Sequence, residues 1–484
     1  LFGNAPSPLL LDGRLVPGSG GAFDTVDPAT GQVIGQAADA TADDLDQALT
    51  AARRAFDASG WSSDVKFRAH CLRQLRDALR RHSDELREMT ISEAGAPRFL
   101  TFGAQLDAPV ADLGWFADLA ESYAWETDLG RAEPMGMASH RRIVREPAGV
   151  VAAITPWNFP HQINLAKVGP ALAAGNTVVL KPAPDTPWCA AALGVLAATE
   201  TDLPPGVLNV VTSSDHAIGA RLAADERVDL VSFTGSTDTG RAVMASAATT
   251  LKRVFLELGG KSAFIVLDDA DLRAACSYAA FAGVTHAGQG CAITTRVLVP
   301  RDRYDEAAAI MAKTLTRLGP GDPSDDGTIC GPLISARQRD RVEAYLRLAL
   351  DEGGAFACGG GRPDRDGGFW IEPTLVTGLT NDSRTAREEI FGPVLVLLPH
   401  DGDDDAVRIA NDSPFGLSGA VHGSPERSNA VAARLRTGTV SVNGGVWYGA
   451  DVPFGGYKQS GIGREMGVAG FEEYLETKAI AEGA

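Results

Sequence analysis

Five short segments of the sequence each put a chemically capable side chain directly after an apolar run. In Ile154-Thr155-Pro156-Trp157-Asn158-Phe159-Pro160 two prolines bracket an Asn and fix the backbone on both sides. That segment reads either as a rigid surface turn or as an amide held to donate a hydrogen bond into a cleft. Lys181 ends the run Thr177–Leu180, as a solvated ammonium or as a contact for a cofactor hydroxyl or phosphate. Ser232-Phe233-Thr234-Gly235-Ser236-Thr237-Asp238-Thr239-Gly240 places a Gly, four residues and a second Gly at the start of a helical pattern. It is an ordinary turn or a loop whose backbone amides face a pyrophosphate. Glu257 ends Arg253–Leu256 and is followed by Leu258, Gly259 and Gly260, which leave space beside it. The carboxylate is a salt-bridged strand end or a base of raised pKa. The fifth segment, Gly288-Gln289-Gly290-Cys291, carries a thiol on a Gly-flanked loop, where a nucleophile can be exposed. Cys189 and Cys276 lie in Ala-rich helical contexts and read as small core residues.

These segments need a scaffold that brings strand ends together. Between Gly149 and Gly260, β-branched runs alternate with Ala-rich helical ones, the pattern of βαβ units and a parallel sheet. Ligands bind at the carboxyl ends of such strands. After Gly260 the alternation resumes with FIVLDD, AACSYAAFAGVTH and TRVLVP, predicting a second α/β domain. Upstream, LLLDGRLV predicts a hairpin turning at Asp12-Gly13. An amphipathic helix starts after Thr41 as N-cap, and a second runs from about Val65 to Met89. No repeat or Gly/Ser/Pro-rich linker separates these parts, so the domains are expected to pack closely.

The composition excludes several classes. Among 484 residues, 62 Asp and Glu outweigh 44 Lys and Arg, for a net charge of −18. Such a chain repels nucleic acid and anionic lipid. An apolar share of 44% excludes wholesale disorder. The six cysteines form no CxxC pair, so neither a disulfide framework nor a metal site is expected. Apolar runs fall well short of the ~18–20 residues of a membrane helix, and no secretory pattern opens the chain. The cytoplasm is the expected compartment, although Leu1 leaves room for residues upstream. Glycine, at 54 residues, is over-represented.

Together, PWNFP, FTGSTDTG, LELGGKS, GQGC, EEIFGPV (Glu388–Val394) and PFGGYKQSGIGREMG (Pro453–Gly467) resemble the hydrolytic, NAD(P)-dependent branch of the aldehyde dehydrogenase superfamily. The resemblance runs from about Leu9 to Thr477. It implies an α/β fold with a Rossmann-like NAD(P)-binding domain over 1–124 and 148–258 and a catalytic domain over 259–458. A small β oligomerisation element would span 125–147 and 459–484, building a homodimer or homotetramer. The implied mechanism has Cys291 attack an aldehyde as thiolate, with the oxyanion on the Asn158 amide and the Cys291 backbone N–H. Hydride transfer to a nicotinamide leaves a thioester, which water activated by Glu257 hydrolyses. Lys167 and Glu476 would carry protons away from Glu257.

By the same resemblance, Lys181 contacts the adenosine ribose, Gly235, Ser236 and Gly240 surround the pyrophosphate, and Glu389 holds the nicotinamide ribose beside Phe391. Ile154, Pro156, Trp157, Pro184, Gly219, Phe233, Thr234, Leu258 and Gly259 complete the cofactor set. Many NAD-preferring relatives carry Glu where this chain has Pro184, so NAD is expected with NADP tolerated. Ala166 stands where relatives favouring small aliphatic aldehydes often carry an aromatic residue. With Phe159, His161, Gln162, Trp447 and Tyr448, it predicts a wider, more polar channel for a bulkier or aromatic aldehyde. Two alternatives are a coenzyme A-acylating semialdehyde dehydrogenase, whose relatives lack the Glu257 equivalent, and a non-catalytic structural relative.

Overall fold

The computed structural model describes residues 1–3 and 5–483. Its first sheet has eight strands, ordered Arg14–Val16, Leu9–Leu11, Leu208–Val210, Thr177–Lys181, Val150–Ile154, Leu230–Thr234, Arg253–Glu257 and Gly461–Ile462. The five from Leu208–Val210 to Arg253–Glu257 run parallel. Four of the five are buried almost end to end, as expected when helices cover both faces of a parallel sheet. The chain builds outward from Val150–Ile154 in one direction and from Leu230–Thr234 in the other. The reversal of strand order therefore lies between these two, and so does the crevice beyond their carboxyl ends.

The second sheet has seven strands, ordered Ala355–Cys358, Thr374–Thr377, Val394–His400, Thr294–Pro300, Ser262–Val266, Ser418–His422 and Thr439–Val442. Only the first pair is antiparallel. Glu257 ends the last parallel strand of the first sheet and Ser262–Val266 begins five residues later, so the four residues Leu258–Lys261 are a direct bridge between the halves. Apolar clusters fill both faces of the first sheet, and a separate one fills the second.

A third, antiparallel sheet joins Glu126–Ala132, Ser139–Pro147 and Leu475–Gly483; its two outer strands are mostly exposed and Ser139–Pro147 is half-buried throughout. Of the tail from 459, only Leu475–Gly483 enters it. Gly461–Ile462 extends the first sheet, and the helix Gly467–Glu472 packs against the helix Pro160–Ala174.

The hairpin forms as expected, with Asp12 at φ 52° and Gly13 at φ 74°, both positive as a type I′ turn requires. The helix Ala42–Ala58 follows Thr41, whose N–H donates to Asp44 Oδ2 at 2.8 Å. The stretch predicted as one helix from Val65 to Met89 is two, Val65–Arg81 and Ser83–Ala94, broken where His82 leaves helical geometry (φ −100°, ψ 13°). No described helix is long and apolar enough to cross a membrane.

Candidate active site

The Asn158 segment leaves Val150–Ile154 and enters the helix Pro160–Ala174, with a Pro in the first turn where its missing N–H is harmless. Asn158 is buried. Its Nδ2 donates to the Gln289 carbonyl at 2.9 Å, and its own carbonyl accepts from Gln105 Nε2 (2.9 Å) and His286 Nε2 (2.8 Å). A carbonyl only accepts, so the His286 proton sits on Nε2. Nδ1 has no partner, and burial lowers the imidazole pKa to about 4, so this ring is neutral.

His286, Ala287 and Gly288 are consecutive left-handed residues, at φ 53°, 53° and 69°. That path turns the Gln289 carbonyl toward Asn158. The Gln289 side chain then pins the loop, donating to the His286 and Pro332 carbonyls and accepting from the Ile334 N–H at 2.9 Å. Gln105, His286 and Gln289 have no marker in the sequence, because ordinary polar residues do this through backbone contacts.

Cys291, two residues on, is partly exposed, and its thiol is free, as are those of the other five cysteines. Burial, reinforced by the Glu257, Glu389 and Glu465 carboxylates, pushes its pKa well above the ordinary thiol value. Glu257 is 1% exposed, and its Oε1 has no hydrogen-bond partner. Burial, then the Glu465 charge, raises its pKa well above the carboxylate range, against the pull of Lys167.

Lys167 is fully buried. Its Nζ donates to Glu465 Oε1 at 2.6 Å and to Ser232 Oγ at 3.1 Å, above the Phe255 ring. The expected partner, Glu476, is elsewhere. It lies exposed on the strand Leu475–Gly483, with Arg253 Nη1 3.4 Å away. The carboxylate that reaches Lys167 is Glu465, from the GREMG end of the late motif, held buried by backbone bonds between residues 454 and 465.

Two cavities meet at these residues. The larger, about 1010 Å³, opens over the crevice of the first sheet. Of the expected cofactor residues, Pro156, Trp157, Thr234, Gly235, Ser236, Gly259, Glu389 and Phe391 line it. Ser236 caps the helix Thr237–Ala247, whose first residues reach the same cavity. A side chain on Gly235 would strike the Phe233 ring at 2.6 Å. Glu389 lies in the notch of Gly259 and Gly260, accepting from the Gly260 N–H at 3.0 Å, and burial raises its pKa to about 6. Phe391 (φ 61°) meets the Trp157 ring edge-on at 5.4 Å.

The remaining expected residues support the cleft from behind. Gly240 packs on Leu258, Phe233 is buried, and Ile154 ends its strand below the loop. Lys181 and Gly219 pack together, and they lie with Pro184 outside the cavity wall. Burial lowers the Lys181 pKa to about 8, against the charges of Asp215, Asp39 and Asp185. Five arginines, at 241, 337, 341, 384 and 387, also line the cleft. The helix N-terminus capped by Ser236 and five arginines, set among the acids Asp238, Glu388 and Glu389, fit a dinucleotide with its pyrophosphate.

The second cavity, about 340 Å³, reaches Cys291 from the other side. Phe159, Gln162, Ala166, Trp447 and Tyr448 all line it. Trp447 stacks on Phe454 at 5.1 Å and 4°, and Tyr448 donates to Asp112 Oδ2 at 3.3 Å. The expectation of a more polar entrance is corrected. His161 is 1% exposed and outside the wall, and burial lowers its pKa to about 4. Residues 159, 162 and 166 share one helix face, and 161 points away from it. Asn158, Thr234, Glu257 and Cys291 line both cavities.

The chain is similar to known proteins over nearly its full length. The model of the aldehyde dehydrogenase family matches residues 15–480. A 3-succinoylsemialdehyde-pyridine dehydrogenase from Pseudomonas is 44% identical over 478 residues, 97% of each chain. A geranial dehydrogenase from Castellaniella defragrans is 41% identical over 458 residues, 93% of each. Among solved structures, a betaine aldehyde dehydrogenase from Staphylococcus aureus in complex with NAD+ superposes with a TM-score of 0.96 at 35% identity, covering 100% of this chain and 96% of that one.

Proposed function

This chain belongs to the aldehyde dehydrogenase family, and we propose that Cys291, Glu257 and Asn158 oxidise an aldehyde to its carboxylic acid with NAD. The observation that carries the assignment is that these three, with Thr234, are shared by the two cavities. One cavity suits a dinucleotide and the other an aldehyde. NAD is supported by relatives solved with it, and when bound it supplies the hydride acceptor.

The chain's own groups account for the rest. Cys291 Sγ, as the thiolate that each turnover regenerates, bonds to the carbonyl carbon and gives a thiohemiacetal alkoxide. The Asn158 amide has one hydrogen on the Gln289 carbonyl and a second free for that alkoxide, with the Cys291 N–H as partner donor. Collapse of the alkoxide expels hydride and leaves a thioester on Sγ. Glu257, its Oε1 unpartnered, then takes a proton from water as the oxygen attacks the acyl carbon. The thiolate leaves, the acid is released, and the proton passes toward Glu465 and Lys167. Cys291→Ala tests this: NADH formation is lost while NAD titration is unchanged, and retained turnover refutes the nucleophile.

Pro184 removes a carboxylate that would repel a 2′-phosphate, which favours NADP as a second cofactor. The acids around Lys181 oppose it, so NAD is the preferred substrate. A kcat/KM preference for NAD beyond roughly 10³-fold would exclude dual use. We assign the domains at 1–124 with 148–258, at 259–458, and a bridging element of 125–147 with the tail. The third sheet is the surface through which a cytoplasmic homo-oligomer would form. Glu257 favours hydrolysis over transfer to coenzyme A, so added coenzyme A should yield no acyl-CoA.

A further inference from the structure

The aldehyde channel carries a charge pattern that goes beyond oxidation as such. Its described wall includes no Lys, Arg or His, and its only ionisable acids are Glu257 and Glu465 at the Cys291 end. Asp112, behind Tyr448, is also an acid. Lys167 is turned away, its Nζ spent on Glu465 and Ser232. The rest of the surface is neutral, aromatic, aliphatic or small, with Asn158, Gln162 and a few hydroxyls as its polar groups. The stacked Trp447 and Phe454 rings form a flat face, Phe264 and Tyr278 add two rings 6.2 Å apart, and Ala166 and Gly419 leave width between walls. At the mouth, Val446 is 85% exposed and extends the apolar surface into solvent.

We propose that this channel selects uncharged aldehydes with a planar aromatic or conjugated body and rejects aldehydes bearing a second, anionic carboxylate. The proposal rests on the placing of Cys291 and Glu257 at its inner end. A flat neutral body gains ring stacking and apolar burial along the whole channel. A carboxylate held in the channel loses its water and meets no cation on the wall. Semialdehydes of dicarboxylic acids are therefore excluded by the wall, not by size. Trp447 is the principal specificity-determining residue, because it supplies the flat face where a binder of carboxylates would need a cation.

The test compares kcat/KM for para-isopropylbenzaldehyde and para-carboxybenzaldehyde, which have nearly the same shape, at saturating NAD. The neutral compound is expected to be preferred by about 100-fold, and a preference of about tenfold or less overturns the proposal. Trp447→Arg, which exchanges the flat face for a cation, should narrow the ratio at least about tenfold. An unchanged ratio in that variant, with the protein folded by circular dichroism, overturns it as well. Propanal separates this from the underlying reading: if it too is not oxidised by the wild-type chain, the assignment of Cys291 and Glu257 fails, whatever the ratio.

Discussion

Gly259 faces Glu389 so closely that a single methyl group decides where the carboxylate can be. A Cβ on Gly259 would lie 2.2 Å from Oε2 and 2.5 Å from Oε1, whereas real Cβ contacts stay beyond 3.0 Å. The backbone cannot easily retreat, because Ser460 holds the Gly259 carbonyl at 2.7 Å and its own carbonyl accepts from the Leu258 N–H at 2.9 Å. Gly259 is not in the left-handed region, so Ala introduces crowding without backbone strain. In Gly259→Ala the Glu389 carboxylate must therefore move, and its bond from the Gly260 N–H breaks. A hydrogen bond to a charged group contributes about 1.5–3 kcal/mol, so kcat/KM for NAD should fall roughly 10- to 150-fold if Glu389 grips the cofactor. Overpacking of ~1–3 kcal/mol should also lower the melting temperature without unfolding the chain. The decisive assay is a double-mutant cycle on kcat/KM for NAD with Glu389→Ala, in which the second substitution should add almost nothing to the first. A folded Gly259→Ala within twofold of wild type, or fully additive losses, would refute the reasoning.

Glu257→Gln should accumulate an acyl adduct on Cys291, seen by intact mass, because hydride transfer proceeds and hydrolysis stalls. The Lys167 and Glu465 pair predicts pH shifts of opposite sign. Glu257 must be ionised to accept a proton from water, so deacylation-limited kcat rises as pH climbs through its raised pKa. Lys167→Met removes a cation that lowers that pKa, so the rising limb moves to higher pH. Glu465→Gln removes an anion that raises it, so the limb moves to lower pH. Shifts of the same sign would contradict the arrangement. Removing one partner of this buried pair should also destabilise the fold by about 3–5 kcal/mol, measurable by urea unfolding.

Much of this site is legible in the sequence because parallel strands buried on both faces read as unbroken apolar runs. Their ends are then marked, and Asn158, Gly235 and Glu257 fall on them. The helix Pro160–Ala174 defeats the same approach. It is buried almost all round, so no amphipathic stripe tells that Gln162 faces the channel and His161 does not. Glu465 and Glu476 pose a related difficulty. Both are acids near the carboxyl end, and only the antiparallel register of Leu475–Gly483 against Ser139–Pro147 carries Glu476 away from Lys167. The cysteine loop is the third case: left-handed His286 and Ala287 contradict local preference, and only contacts with distant residues impose them.

That loop has a consequence for how the protein fails on heating. Two non-glycine residues in the left-handed region store on the order of 1–3 kcal/mol each, opposed by the loop's hydrogen bonds to Asn158, Pro332 and Ile334. The thiol thus sits on a segment with an incentive to relax as soon as those clamps loosen, while both sheets remain packed. Loss of turnover should then precede loss of ellipticity in a thermal ramp, and Cys291 would become more open to alkylation before the four buried thiols do.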